Sequence, residues 1–126
     1  MKHFICLTLM LLIAVTSVQA KSKKVRYALS TSPDSVALVI TYYKDKIEIE
    51  STWGTYSAEL FSQNDNTITY RRATYGNIWD ENQKRMSYRI IKEHFYDVSK
   101  DRRSLRTEVI DRDRIIYGGP SYVIIE

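Results

Sequence analysis

The feature that most constrains this chain lies between residues 35 and 50. Ser35 to Tyr43 is a run rich in β-branched and aromatic residues, Lys44-Asp45 is a tight polar break, and Lys46-Ile47-Glu48-Ile49-Glu50 alternates apolar with charged side chains. Successive side chains of a strand point to opposite faces. The segment therefore reads as a β-hairpin with Ile47 and Ile49 turned inward and Glu48 and Glu50 turned to water.

The rest of the chain repeats that grammar. Val25, Tyr27 and Leu29 alternate in a first strand, closed by Ser32-Pro33-Asp34. Gly54 breaks the chain before Thr55 to Ser62, where Tyr56, Ala58 and Leu60 share a face. Gln63-Asn64-Asp65-Asn66 is a turn, because Asn and Asp tolerate left-handed geometry and bond their own backbone. Thr67 to Arg72 follows, with Ile68 and Tyr70 alternating against Thr69 and Arg71. Leu105 to Ile110 and Ile115 to Tyr117 flank a charged turn, and Gly118-Gly119-Pro120 is expected to break the chain before Tyr122 to Ile125. Ala73 to Lys84 reads as the longest irregular stretch.

Residues 80–98 admit two readings. As a helix, Asp80 caps it, Gln83 completes a capping box, and Met86, Ile90, Ile91, Phe95 and Val98 share an arc. As a strand, Met86, Tyr88 and Ile90 alternate against Arg85, Ser87 and Arg89. The β-formers Tyr88, Ile90, Ile91, Phe95 and Tyr96 favour the strand, with a bulge at Ile91-Lys92.

The expected fold is all-β: an antiparallel meander of about eight short strands forming a small barrel or sandwich. Its apolar face is expected to comprise Val36, Leu38, Ile40, Ile47, Ile49, Tyr56, Leu60, Ile68, Tyr70, Val109, Ile115 and Val123. The first and last strands are apolar enough to need covering, and pairing with each other is the economical solution. A membrane-spanning barrel is disfavoured, since spanning strands need ~9–11 residues and most runs here look shorter. In strand order and size the pattern resembles small lipocalin-like barrels of exported bacterial proteins. The Gly-x-Trp near the first strand of such barrels is missing, and Trp53 precedes its glycine, so the resemblance transfers no residue.

Residues 1–20 carry the marks of a cleavable export signal: Lys2, an uncharged apolar run from Phe4 to Val15, and the small-residue end Val18-Gln19-Ala20. The run falls short of the ~18–20 residues that span a bilayer. Cys6, the only cysteine, sits inside it and not at a lipidation point. Residues 21–126 are then a single β-rich domain without disulfides, which favours a bacterial periplasmic or secreted setting. Losing Lys2 leaves 18 basic against 15 acidic side chains, net +3. Acids and bases alternate in Asp101-Arg102-Arg103 and Asp111 to Arg114, which suits cross-strand pairs better than a nucleic-acid groove.

Chemistry-bearing patterns are few. His94 is the only histidine after the leader, no nucleophile elbow accompanies it, and it reads as a sheet-surface or partly buried side chain. One histidine and no cysteine do not make an ordinary zinc site, and no glycine-rich phosphate loop occurs, so neither metal nor cofactor is expected. What stands out is aromatic content: ten tyrosines and two tryptophans. Most would fill a β core. Trp53 and Tyr56 around a strand end, and Tyr75 and Trp79 on the expected loop, are the candidate binding residues. The sequence thus points to a non-enzymatic envelope domain that recognises an apolar small molecule or an envelope protein. A small carboxylate-dependent hydrolase and an assembly protein acting by strand pairing are the alternatives.

Overall fold

The computed structural model describes residues 22–126; the signal peptide expected at residues 1–20 lies outside them. The described residues form eight strands: β1 (Lys23–Leu29), β2 (Leu38–Tyr42), β3 (Lys46–Ser51), β4 (Gly54–Gln63), β5 (Thr67–Asp80), β6 (Arg85–Ser99), β7 (Ser104–Asp111) and β8 (Ile116–Ile124). Each pairs antiparallel with the next, and β8 returns to β1, so the meander closes into a barrel. The closing seam sets Tyr27 opposite Ile124 and Leu29 opposite Tyr122. The two terminal strands cover each other's edges, as their composition demands.

Register follows from which alternate residues are apolar. Ile40 faces Ile49 and Tyr42 faces Ile47; Ile68 faces Val98 and Tyr70 faces Tyr96; Val98 faces Leu105. With Val25, Tyr27, Leu38 and Ala58 these side chains make one buried core inside the barrel. The intervening positions carry Arg26, Glu48, Glu50, Glu59, Asp97 and Arg106 on the outer wall. There Thr69 donates to Asp97 at 2.7 Å, and Arg71 pairs with Glu93 at 2.7 Å.

Short polar side chains shape the turns. Asn64 Oδ1 accepts from the backbone N–H groups of Asn66 and Thr67, and Asp111 Oδ1 from those of Asp113 and Ile115. Asp80 does the same for Asn82 and Gln83. These bonds satisfy backbone donors that the ladder leaves over.

Residues 85–99 are strand, the reading their β-formers favour over the helix; other expectations are corrected. The expected bulge is present: Thr74 faces Lys92 while Tyr75 faces Ile90, which leaves Ile91 as the extra residue. Residues 73–84 are no irregular loop. They form the upper part of β5 and the turn into β6, a two-stranded ribbon extending past the neighbouring strands. Gly76 does not break it; a side chain there would crowd Ile91, which lies across it.

Gly118-Gly119-Pro120 does not interrupt β8 either. Gly119 and Pro120 together oppose Thr107 as a bulge, and a Cβ on Gly119 would collide with the Thr107 hydroxyl. The strands are also longer than expected: β4, β5, β6 and β8 have 10, 14, 15 and 9 residues.

Three residues of the expected apolar face are exposed. Val36 precedes β2, Ile115 lies in the β7–β8 turn, and Leu60 sits beside the bulged Phe61. At the chain end the register slips by one. Tyr122 and Ile124 pack on the core and Val123 does not, because four consecutive apolar residues carry no alternation to fix the face.

Candidate functional site

The eight strands give the barrel two unlike ends. The end holding the β2–β3, β4–β5 and β6–β7 turns is closed by a tyrosine plug. Tyr27 and Tyr42 are buried with their hydroxyls 2.6 Å apart. Tyr27 donates its single hydroxyl proton to the Arg102 carbonyl at 2.7 Å, so Tyr42 is the donor of the pair. Burial raises both hydroxyls above the ordinary tyrosine range and keeps them protonated. The Arg102 guanidinium lies 4.3 Å over the Tyr42 ring as a lid.

The opposite end is hollow. A cavity of about 240 Å³ is walled by Leu38, Ile49, Tyr56, His94, Tyr96, Val109 and Tyr122, with Trp53 at its lip. Ile49 and Tyr56 enter from a directly opposed β3–β4 pair. Trp53 occupies the two-residue turn between these strands. Its N–H donates to Ser51 Oγ, its carbonyl accepts from Tyr56 at 3.4 Å, and Gly54 follows with φ 135°, a conformation that favours glycine. Trp53 remains 88% exposed.

Polar groups ring this hollow. His94 faces Arg72 across β5–β6 and Val109 across β6–β7. The Arg72 guanidinium stacks 4.4 Å over Tyr56. Its Nε is buried and has no hydrogen-bond partner among the described residues. Burial lowers the His94 pKa, and the charges of Arg72 and Lys92 lower it further, so the imidazole is held neutral. The two aliphatic hydroxyls at the cavity donate to backbone carbonyls, Ser51 to Gly54 and Thr107 to Pro120, and not to His94. Glu108 is the one acid among the cavity's described lining residues, so no carboxylate pair faces this hollow.

Of the four expected binding residues, the structure brings Trp53 and Tyr56 together at the cavity. Tyr75 and Trp79 lie elsewhere, on the outer face of the β5–β6 ribbon, beside Tyr88 and Met86. Tyr75 stacks on Tyr88 with centroids 5.6 Å apart, and Tyr88 is 72% exposed.

Sequence reasoning did not single out Arg72; His94 is a partly buried sheet residue, as expected, and lines the cavity. The signal was present: Ile68, Tyr70 and Arg72 share one alternation, as do Val98, Tyr96 and His94. The second alternation ends in the cavity wall at His94, and the first ends at Arg72, which pairs with His94 and lies over the lining residue Tyr56. Comparison of the chain with protein-family models, curated proteins and solved structures gives no match, so the geometry of this hollow carries the functional argument.

Proposed function

We propose that the protein is a non-enzymatic binding domain that takes a small, largely apolar molecule into the open end of its barrel. The observation that supports this most is the hollow itself. One end of the barrel is filled by tyrosines, and the other leaves about 240 Å³ between apolar walls. A cavity of ~150 Å³ suffices for benzene, and sites for drug-sized ligands run to ~300–1,000 Å³. The hollow therefore suits a ligand somewhat larger than a single ring.

The domain works outside the cytoplasm in this proposal, after removal of residues 1–20. The inside-apolar, outside-charged wall supports an aqueous setting, since a lipid-facing barrel needs the opposite pattern. Intact mass of the protein from its native host checks the processing, with Lys21 expected as the first residue.

The binding test is titration with 1-octanol followed by amide and methyl NMR. Shifts confined to Leu38, Ile49, His94, Tyr96 and Val109, and abolished by a cavity-filling Val109→Phe, are the expected result. An absence of shifts there would remove the proposal.

A second reading, recognition of a protein partner, has its own support in the ribbon. Tyr75, Trp79, Met86 and Tyr88 form an exposed aromatic face there, and beyond Arg71 and before Lys92 the ribbon has no outer strand neighbours. Trp79→Ser with Tyr88→Ser should then abolish capture of the partner while leaving 1-octanol binding intact.

A further inference from the structure

Arg72 is out of keeping with the rest of the barrel. Several other arginines have carboxylate partners: Arg71, on the outer wall, shares Glu93 with Arg114 of the β7–β8 turn, and on the ribbon Arg89 meets Asp80. Arg72 follows Arg71 in sequence but falls on the inward alternation, opposite His94. Its Nε is buried without an acceptor among the described residues. A buried guanidinium N–H without a partner is costly, and such exceptions are rare enough in folded proteins to call for a cause.

The groups around it show what would satisfy it. Arg72, Lys92 and His94 share the inner face at the hollow end. The acid set against them in the β-ladder is Asp111, opposite Lys92. Its carboxylate is already spent, accepting from two backbone N–H groups and from the Tyr117 hydroxyl. Glu93 is held on the outer wall by Arg71 and Arg114. The guanidinium carbon of Arg72 sits 4.4 Å over the ring of Tyr56, which itself lines the cavity. A planar, pre-oriented guanidinium is the side chain best matched to a carboxylate, through two parallel hydrogen bonds. Its two neighbours, His94 and Tyr56, both line the hollow, whose other walls are mainly apolar.

We propose that the ligand is an amphipathic monocarboxylic acid, its carboxylate held by Arg72 beside His94 and its apolar body filling the cavity. The inference rests on the cavity-binding reading above and adds the chemistry of the head group. His94 assists as a neutral donor: one ring N–H is available to the second carboxylate oxygen without a proton being taken up. Lys92 contributes attraction at the entrance, and the guanidinium keeps its place over the Tyr56 ring.

The test compares octanoate with 1-octanol, which share a tail and differ in the head, by calorimetry at neutral pH. Octanoate should bind at least ten-fold tighter to the natural protein. In Arg72→Gln that preference should vanish while 1-octanol affinity stays within about two-fold. Arg72→Lys, which keeps the charge and loses the planar fork, should retain only part of it. The His94 ring resonances should move on adding octanoate and less on adding 1-octanol, a readout that needs no variant. Equal affinity for the two molecules in the natural protein overturns the carboxylate proposal and leaves cavity binding standing. A preference that survives Arg72→Gln also overturns it. Binding of neither molecule overturns both readings together.

Discussion

Each end of this barrel stacks an arginine on a tyrosine, and the surroundings turn the two stacks to opposite uses. At the closed end, Arg102 lies 4.3 Å over Tyr42, whose hydroxyl joins Tyr27, which in turn bonds the Arg102 carbonyl. The chain of donors ends on a backbone acceptor and every proton has a destination. At the hollow end, Arg72 lies 4.4 Å over Tyr56, but its Nε is buried with no acceptor among the described residues, and a cavity stands where the plug would be. Satisfied polar networks rigidify a core, while partly satisfied ones are costly to keep. The contrast separates a network closed on itself from one that leaves a buried donor over beside a cavity.

The largest expected effect breaks the closed end. Tyr42 is 1% exposed and spans the core, so Tyr42→Ala should lower unfolding free energy by about 3–5 kcal/mol, as aromatic truncations in cores do. Tyr56→Ala, at the hollow end, should cost about 1 kcal/mol, within the range of ordinary partly exposed substitutions. Urea unfolding of the two variants checks the difference. Equal losses would mean that both ends are structural plugs.

A smaller change sharpens the same point. Tyr27→Phe keeps the ring and removes the hydroxyl that links Tyr42 to the Arg102 carbonyl. Two buried groups then lack their partner, and the expected loss is about 1–3 kcal/mol. The urea midpoint should fall without a change of slope, because the exposed surface is the same.

How much of this was legible in the sequence differs between the packed core and the hollow for a physical reason. The core is built from strict alternation: Ile47 and Ile49 against Glu48 and Glu50 announce their faces, and Ile68 and Tyr70 do likewise. The meander and the pairing of the terminal strands follow from such runs. Register was not legible in Tyr122 to Ile125, where every side chain is apolar and a one-residue slip costs no visible pattern. The ribbon was misread because Gly76 and Asn77 are breakers by composition, whereas here the glycine makes room for Ile91. Of the site, Trp53 and Tyr56 were found as aromatics at a strand end. Arg72 was hidden beside Arg71, since adjacent residues of one type on opposite faces look like a single charged pair. A hollow is a property of packing, and no residue pattern announces a missing side chain.

The pH response of stability should also divide along the barrel axis. His94 faces Arg72 on β5, with Lys92 and Asp111 one pair further along, and burial heads the causes that lower its pKa. In the unfolded chain an imidazole titrates near ~6.5, so below that value the unfolded state binds more protons than the folded one. The His94 contribution is therefore full above about pH 6.5 and is lost as pH falls through the depressed folded value. His94→Leu should flatten this part of the profile, measured as urea midpoints between about pH 7.5 and 5. Asp101, beyond the closed end, behaves separately. Its carboxylate is held below the usual range by the Ser99 hydroxyl and the Arg103 N–H, so its effect falls below about pH 4. A profile that keeps its slope between about pH 7.5 and 5 in His94→Leu would assign that slope to another group.

The smallest expected effect is the most discriminating. Arg72→Met removes the guanidinium and keeps an apolar stem of similar reach. It relieves a buried Nε without an acceptor, a gain of about 1–3 kcal/mol for such a group. It forfeits the stack on Tyr56, where cation–π contacts contribute about 0.5–2 kcal/mol. The two terms nearly cancel, so the unfolding free energy should move by less than about 1 kcal/mol in either direction. A residue that can be removed at no cost to the fold, yet sits inward beside a cavity, is retained for a reason other than stability; sites of this kind commonly trade stability for function. A loss of more than about 2 kcal/mol would place Arg72 in the same class as the satisfied plug at the other end. The cation would then be a structural filler, and the hollow end would have to find its head-group recognition in His94 and Lys92 instead.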